Sequence, residues 1–359
     1  MENNPPSPLI SEDAVIACLS RHFPRKHDAL LLGRGDDCAL LKGDAPLAVS
    51  TDVFLEDVHF RRSYFTPEEI GFKALAANVS DMAACGARPT AFTLSLGLPQ
   101  WVDEPWLEAF FRGMAALADE RRMALAGGDL SRCASLAVSI TVFGETDRTG
   151  CFLTRGGSMP GDAIFITGRI GLARVGLAVL EAQGRSAIEA WPAACAAHLR
   201  PRPQVDAGLM LSRAGANARP PALMDLSDGI LRDLPRLLGL TGEIAASCPA
   251  CRKLGARLSL PKDILHPELV RWAEEQGRDP VLEALFGGED YALLGSCAPD
   301  MAPSLLTAVN GFTQIGTVTD DGLLTCNGLS FADLRGFDHF ADPGRPRPAE
   351  AQDGSLSKA

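Results

Sequence analysis

Five short runs of small residues, each carrying aspartate, constrain this chain more than any other feature. They are Gly-Asp-Asp at 35–37, Ser-Thr-Asp at 50–52, Asn-Val-Ser-Asp at 78–81, Gly-Gly-Asp at 127–129 and Asp-Leu-Ser-Asp-Gly at 225–229. Taken singly, Gly-Asp-Asp and Gly-Gly-Asp read as turn chemistry. Two other positions resist that reading. Asp52 comes at the end of LAVSTDV, before Val53 alone, and the Leu, Ala and Val of this run read as a buried strand. Asp81 lies in the middle of a helical pattern, where Asp is intrinsically unfavourable. The fold has to bring such acids somewhere useful. Asp supplies charged oxygen ligands, and small neighbours let backbone and phosphate come close. The joint pattern points to Mg²⁺-dependent nucleotide chemistry.

Electrostatics sharpens this expectation. Two carboxylates about 4 Å apart cost on the order of 4 kcal/mol at an effective dielectric near 20. Asp37, Asp52, Asp81, Asp129 and Asp225 could share a pocket only with cations present or protons retained. Mg²⁺ accepts one or two protein carboxylates together with water and phosphate oxygens. Neither common phosphate loop accompanies the acids. GxxxxGK[ST] is absent, and Gly-Gly-Asp-Leu-Ser-Arg lacks the lysine that a P-loop needs. Phosphates would therefore be held by metals and arginine. Arg155, in LTRGGSMPGD, is the candidate, because a guanidinium grips phosphate with two parallel bonds. His59, in EDVHF, is a second candidate against the alternative of a packing histidine. Cys248-Pro-Ala-Cys251 is one CxxC without a second pair, which reads as a surface insertion rather than a zinc site.

The bulk numbers bound the class. At 359 residues, two domains are expected. A formal charge of −11 argues against general nucleic-acid or anionic-membrane binding, but not against a nucleotide, since metals reverse the local sign. No apolar run approaches the roughly 20 residues of a membrane span. MENNPPSPLISED lacks the basic-then-apolar order of a signal peptide, so a cytoplasmic location is expected. The ten cysteines, scattered among core-like positions, fit that setting.

Along the chain, residues 1–12 read as a loose tail and 13–23 as a helix. Strands are expected at 47–53, 92–99 and 136–146, with helices at 67–86 and 104–123. The glycine-rich stretch from Asp147 to Asp162 marks a boundary, giving domains 13–150 and 151–345 and a second tail at 346–359. A strand at 163–168 and the helix GLARVGLAVLEA open the second half. A helix at 230–240 and strands within 287–296 and 312–320 follow. Irregular alternation of strands and helices implies an α/β or α+β sandwich.

Several blocks line up, in order and spacing, with one family. They include GRGDDCALL, STDVFLEDVHF, GFKALAANVSDMAACGARP, LAGGDLSR, LTRGGSMPGD, RPRPQV, MDLSDGILRDL, GGEDYALL and GFDHF. From about residue 10 to 342 the chain resembles the thiamine-monophosphate kinases of the aminoimidazole ribonucleotide synthetase-like superfamily. The resemblance implies a two-domain fold, a homodimer that pairs its N-terminal sheets, and ATP with several Mg²⁺ ions between the domains. It implies direct transfer of the ATP γ-phosphoryl group to thiamine monophosphate. It further implies Asp37, Ser50, Thr51, Asp52, Asp81, Asp129, Asp225 and Asp228 as metal ligands. Gly128, Asp129, Arg155 and Ser227 are the implied nucleotide contacts. His59, Glu289 and Phe337 are the implied acceptor side, with Phe337 stacking where the family often has Trp or Tyr. Asp81, Asp129, Arg155 and Asp225 are expected to be essential for catalysis.

Rival readings predict features the chain lacks. A selenophosphate synthetase needs a reactive cysteine in a glycine-rich N-terminal loop, whereas Cys18 sits in a helical pattern. A hydrogenase-maturation relative ends in a cysteine, and this chain ends in DGSLSKA. A non-catalytic regulatory dimer would have lost some of the aspartates. A general phosphatase would not need the Glu289 and Phe337 blocks.

Overall fold

The computed structural model describes residues 30–32, 36–43, 45–241 and 253–333. The expected helix at 13–23, both tails, Cys248, Cys251 and Phe337 lie outside them.

The first half builds β1 (Leu30–Leu32), β2 (Ala39–Leu41), β3 (Leu47–Leu55), α1 (Pro67–Ala84), β4 (Arg88–Leu98), α2 (Glu104–Arg121), β5 (Ala124–Arg132) and β6 (Ala137–Glu145). Its strands form one sheet in the order β1-β2-β3-β6-β4-β5. Neighbours are antiparallel except β4 and β5.

Helix α1 organises the molecule. Thr66 and Glu69 close a reciprocal capping box, and Pro67 enters the first turn. The helix stops at Cys85, followed by Gly86 at φ +66. Residues on all its faces are buried, because it lies between the first sheet with α2 and the second half. At its contact with α2, a Cβ on Gly71 would meet the Phe110 carbonyl at 2.0 Å, and one on Gly113 would meet that of Glu68 at 1.9 Å. Only glycine permits this approach of the two backbones.

The second half continues with β7 (Ala163–Thr167), α3 (Leu172–Gln183), α4 (Ala187–Ala190), α5 (Pro192–Leu199), α6 (Val205–Gly215), β8 (Ala222–Asp225) and α7 (Ile230–Leu237). Then come β9 (Gly255–Leu258), α8 (Pro267–Glu275), α9 (Pro280–Phe286), β10 (Leu293–Cys297), α10 (Ala302–Ala308), β11 (Phe312–Thr319), β12 (Leu324–Cys326) and β13 (Leu329–Ser330). The second sheet runs β13-β12-β9-β11-β7-β10-β8, with β7, β8 and β10 buried throughout. The architecture is the expected mixed α/β, with the two sheets divided between Glu145 and Ala163.

Three details depart from the sequence reading. The strand expected at 47–53 continues to Leu55, and its Thr51, Asp52 and Val53 are exposed rather than buried. Gly-Gly-Asp at 127–129 is not a turn: it sits inside β5, an edge strand exposed at every position. The helix expected at 230–240 ends at Leu237, two residues after Pro235.

Candidate active site

The acids converge where α1 meets β8. Asp81 comes from the last turns of α1, Asp225 from the end of β8, and Asp37 from the turn before β2. A carboxylate oxygen of each lies within 4.8 Å of the others. Two serines hold these groups. Ser50 donates to Asp81 at 2.5 Å, and Ser80 donates to Asp225 at 2.7 Å. Asp52 is accessible to solvent yet surrounded by protein atoms. That burial, followed by the Asp37 charge, raises its carboxyl. Asp81 and Asp225 lie deeper. Burial, then Asp52, Asp225 and Asp37, holds Asp81 well above the usual carboxylate range. Burial and Asp37 do the same to Asp225. Such a cluster favours protons or cations, and its all-oxygen donor set suits a hard divalent ion. The residues therefore fit Mg²⁺.

Arg155 offsets part of this charge. Its Nε donates to one Asp37 oxygen at 2.9 Å and its Nη2 to the other at 2.5 Å. Its backbone N–H donates to Asp36 at 2.9 Å. The sequence reading passed over Asp36, although the Asp doublet was its signal. Burial and the Asp37 charge push Asp36 up to about 6.

Other expected residues take separate places. Strand alternation turns Thr51 to the opposite face from Ser50 and Asp52. The Thr51 hydroxyl donates to the Ile140 carbonyl at 3.0 Å and accepts from Thr141 at 3.0 Å, so it does not join the cluster. Asp129 does not join it either. Asp52 faces Ile140, Ile140 faces Leu94 and Leu94 faces Gly128, which puts three strand spacings between them, roughly 14 Å. Gly128 is required where it stands, since a Cβ would meet the Leu94 carbonyl at 1.8 Å. Asp228 is paired with Arg236 at 2.6 Å. The Ser227 carbonyl accepts the Glu289 N–H at 2.8 Å.

Among the residues expected on the acceptor side, the Leu55 N–H donates to His59 Nδ1 at 3.0 Å, and the ring stacks on Phe54 at 5.5 Å. Phe54 stacks on Phe60, Phe60 meets Phe65 edge-on, and Phe65 meets His198 edge-on at 5.4 Å. His198 touches Glu289. A continuous aromatic row thus links His59 to Glu289. Sequence reasoning missed Lys73 and His198. A lysine inside the apolar run of α1 was the available signal, because lysine is almost never fully buried unless paired. Tyr291 was missed too. Burial and the charges of Glu289, Asp52, Asp225 and Asp81 raise its phenol, so both groups of acids act on it.

Comparison with known proteins first defines a class. Residues 35–146 match the family described as AIR synthase related protein, N-terminal domain. The thiamine-monophosphate kinase of Salmonella typhimurium is 35% identical over 355 residues, covering 90% of this chain and 98% of the relative. That of Bacillus subtilis is 36% identical, covering 75% of this chain and 78% of the relative. A solved structure, AaThiL complexed with AMPPCP and TMP, aligns with a TM-score of 0.77 at 28% identity, covering 92% of this chain and 97% of that one. The chain belongs to the thiamine-monophosphate kinase family. Within the wider class, a hydrogenase maturation HypE–HypF complex shares the fold at a TM-score of 0.64 and 17% identity.

Proposed function

We propose that this protein is a kinase that transfers the γ-phosphoryl group of ATP directly to the phosphate of thiamine monophosphate, giving thiamine diphosphate and ADP. The observation that carries this reading is the buried Asp37–Asp81–Asp225 cluster beside Arg155, in a chain that covers 98% of its Salmonella typhimurium relative. The related structure with AMPPCP and TMP supports both substrates.

Asp37, Asp81 and Asp225 would hold Mg²⁺, with Ser50, Asp52 and Asp228 alongside. Bound Mg²⁺ would neutralise phosphate charge during in-line transfer. Ser50 and Ser80 fix the Asp81 and Asp225 carboxylates, so no reorganisation is needed as charge develops. Arg155 would exchange Asp37 for a phosphate oxygen once the cluster is neutralised. An acceptor phosphate oxygen forms the new P–O bond while the bond between the γ-phosphorus and its bridging oxygen breaks, and ADP leaves with the electron pair. That acceptor is ionised near neutral pH, so no general base is required. Gly128 and Asp129 would meet nucleotide with Ser227, while His59, Glu289 and Phe337 would receive the thiamine moiety. Thr51 would contribute as a ligand only through its backbone.

A homodimer belongs to the same reading. Strand β5 is an edge exposed at every position, with Leu125 and Leu130 open to solvent, and such an edge invites strand or sheet pairing. A dimer would also bring a partner surface over the exposed Asp129. Among the described residues no helix is long and apolar enough to cross a membrane. The buried free thiols Cys38, Cys85, Cys195, Cys297 and Cys326 support a cytoplasmic setting.

The test is a mass-resolved assay with ATP, Mg²⁺ and thiamine monophosphate beside a thiamine-only control. Thiamine diphosphate and ADP should appear one for one, with the monophosphate alone and only with Mg²⁺. ATP consumption without thiamine diphosphate would overturn the acceptor assignment.

A further inference from the structure

Lysine 73 is the most unusual side chain outside the metal cluster. It sits on α1 with no exposure of its side chain. Its Nζ donates to Glu289 Oε2 at 3.0 Å and lies 3.4 Å from His198 Nδ1. His198 is as deeply buried and places Nδ1 3.2 Å from the same Glu289 oxygen. Phe65 closes the trio, with its ring 5.4 Å from both the Lys73 ammonium and the His198 ring.

The hydrogen-bond inventory fixes the roles. The ammonium has donors only, and the Glu289 oxygen can only accept when ionised. A lone pair on His198 Nδ1 would face the Glu289 oxygen at 3.2 Å, so the favoured tautomer has Nδ1–H donating to Glu289 and the lone pair on Nε2. Nε2 is buried and has no hydrogen-bond partner among the described residues, which the neutral ring tolerates better than a donor would. The trio thus holds one positive and one negative charge.

Two features aim this arrangement at the site. Of the three side chains, only Glu289 is accessible, at 28%, against 0% for Lys73 and 2% for His198. Anything that reaches the trio touches Glu289 alone. Glu289 is also left-handed at φ +60, and Tyr291, two residues on, at φ +49. Backbone strain of this kind persists where surroundings over-determine it, commonly at ligand clamps. The Ser227 and Leu226 carbonyls hold the Glu289 and Tyr291 N–H groups, while Lys73 from the first half and His198 from the second hold the Glu289 side chain.

We propose that Lys73 and His198 are positioning residues, which fix the Glu289 carboxylate toward the acceptor and so set acceptor affinity without touching it. This rests on the proposed kinase reading and adds the residues that orient its acceptor side. They stand on α1 and α5, so acceptor affinity depends on how the two halves pack.

The experiment uses the full-length protein and four variants: Lys73→Met, His198→Leu, His198→Asn and Glu289→Gln. KM for thiamine monophosphate should rise about tenfold or more in Lys73→Met and His198→Leu, while KM for ATP stays within about twofold. Asn can return a donor near the Nδ1 position, so His198→Asn should recover most of the affinity. His198→Leu combined with Glu289→Gln should be no worse than Glu289→Gln alone. His198→Leu removes no charge and serves if Lys73→Met does not fold. A folded His198→Leu enzyme with unchanged acceptor KM overturns the inference and leaves the kinase reading intact. Equal rises in both KM values also overturn it, because they indicate a general packing defect. Wild-type protein that makes no thiamine diphosphate overturns the kinase reading itself, and this inference falls with it.

Discussion

Arg155 lays two donors of its guanidinium on the two oxygens of Asp37, so the strongest cation at the site is engaged by one of its own acids. Burial alone would lower the Arg155 pKa, but the Asp37 charge and hydrogen bond more than reverse this. On the proposed reading, the pair would store a phosphate-binding group in a neutralised form. Arg155→Lys keeps the charge and loses the fork. Steady-state kinetics should register a fall in turnover of about 100-fold or more, the range seen when one transition-state donor is lost.

Asp81 contributes charge at a cost to the fold. Its carboxyl is crowded by Asp52, Asp225 and Asp37 in a buried place. Asp81→Asn keeps an oxygen for Ser50 and removes one of the repelling charges. Turnover should fall by about 100-fold or more, while the melting midpoint of metal-free protein near pH 8 rises by roughly 2–4 °C. Adding Mg²⁺ should stabilise wild type far more than the variant. A folded, fully active Asp81→Asn enzyme would remove the metal assignment.

Asp233 gives a pH test that is read from stability rather than from turnover. It is fully buried, accepts the Asp228 N–H at 3.0 Å, and lies 3.3 Å from Arg236. Burial, then the Asp228 charge, raises its carboxyl from 3.8 to about 7. Folding therefore favours the neutral acid. Its contribution is fully present below about pH 4 and is lost as pH rises through about 7. Asp233→Asn cannot ionise. The difference in melting midpoint, variant minus wild type, should grow across that window and level off above it. A difference independent of pH would contradict the assignment.

The dimer reading makes a prediction for β5. Leu130 is 69% exposed on the edge strand. Leu130→Glu would place a charge in the proposed contact. Sedimentation should find wild type as a dimer and the variant shifted toward monomer, with β5 otherwise intact.

Much of the fold was legible because its signals are local. Thr66, Pro67, Glu69 and Gly86 announce α1, and Ala137–Glu145 alternates as a sheet strand should. Asp37, Asp81 and Asp225 were legible as candidate ligands from the joint pattern of acids in small-residue runs, with Asp81 also breaking a local rule inside its helix, and the structure brings their oxygens together. Strand β5 was not legible. Gly127 and Gly128 mimic a turn, and its parallel partner β4 is separated from it by α2. Register is likewise invisible locally, so the distance between Asp129 and Asp52 could not be read. Lys73 was hidden by an apolar helical pattern, since its partners Glu289 and His198 lie 216 and 125 residues away.

The most direct test follows the transferred group. ATP labelled with ¹⁸O at all non-bridging γ-oxygens is incubated with the protein, Mg²⁺ and thiamine monophosphate, and the products are weighed by mass spectrometry. Transfer without hydrolysis predicts that every labelled γ-oxygen arrives in thiamine diphosphate and that Asp81→Asn forms this product about 100-fold or more slowly. Label recovered only in inorganic phosphate, with thiamine monophosphate unchanged, would contradict the account.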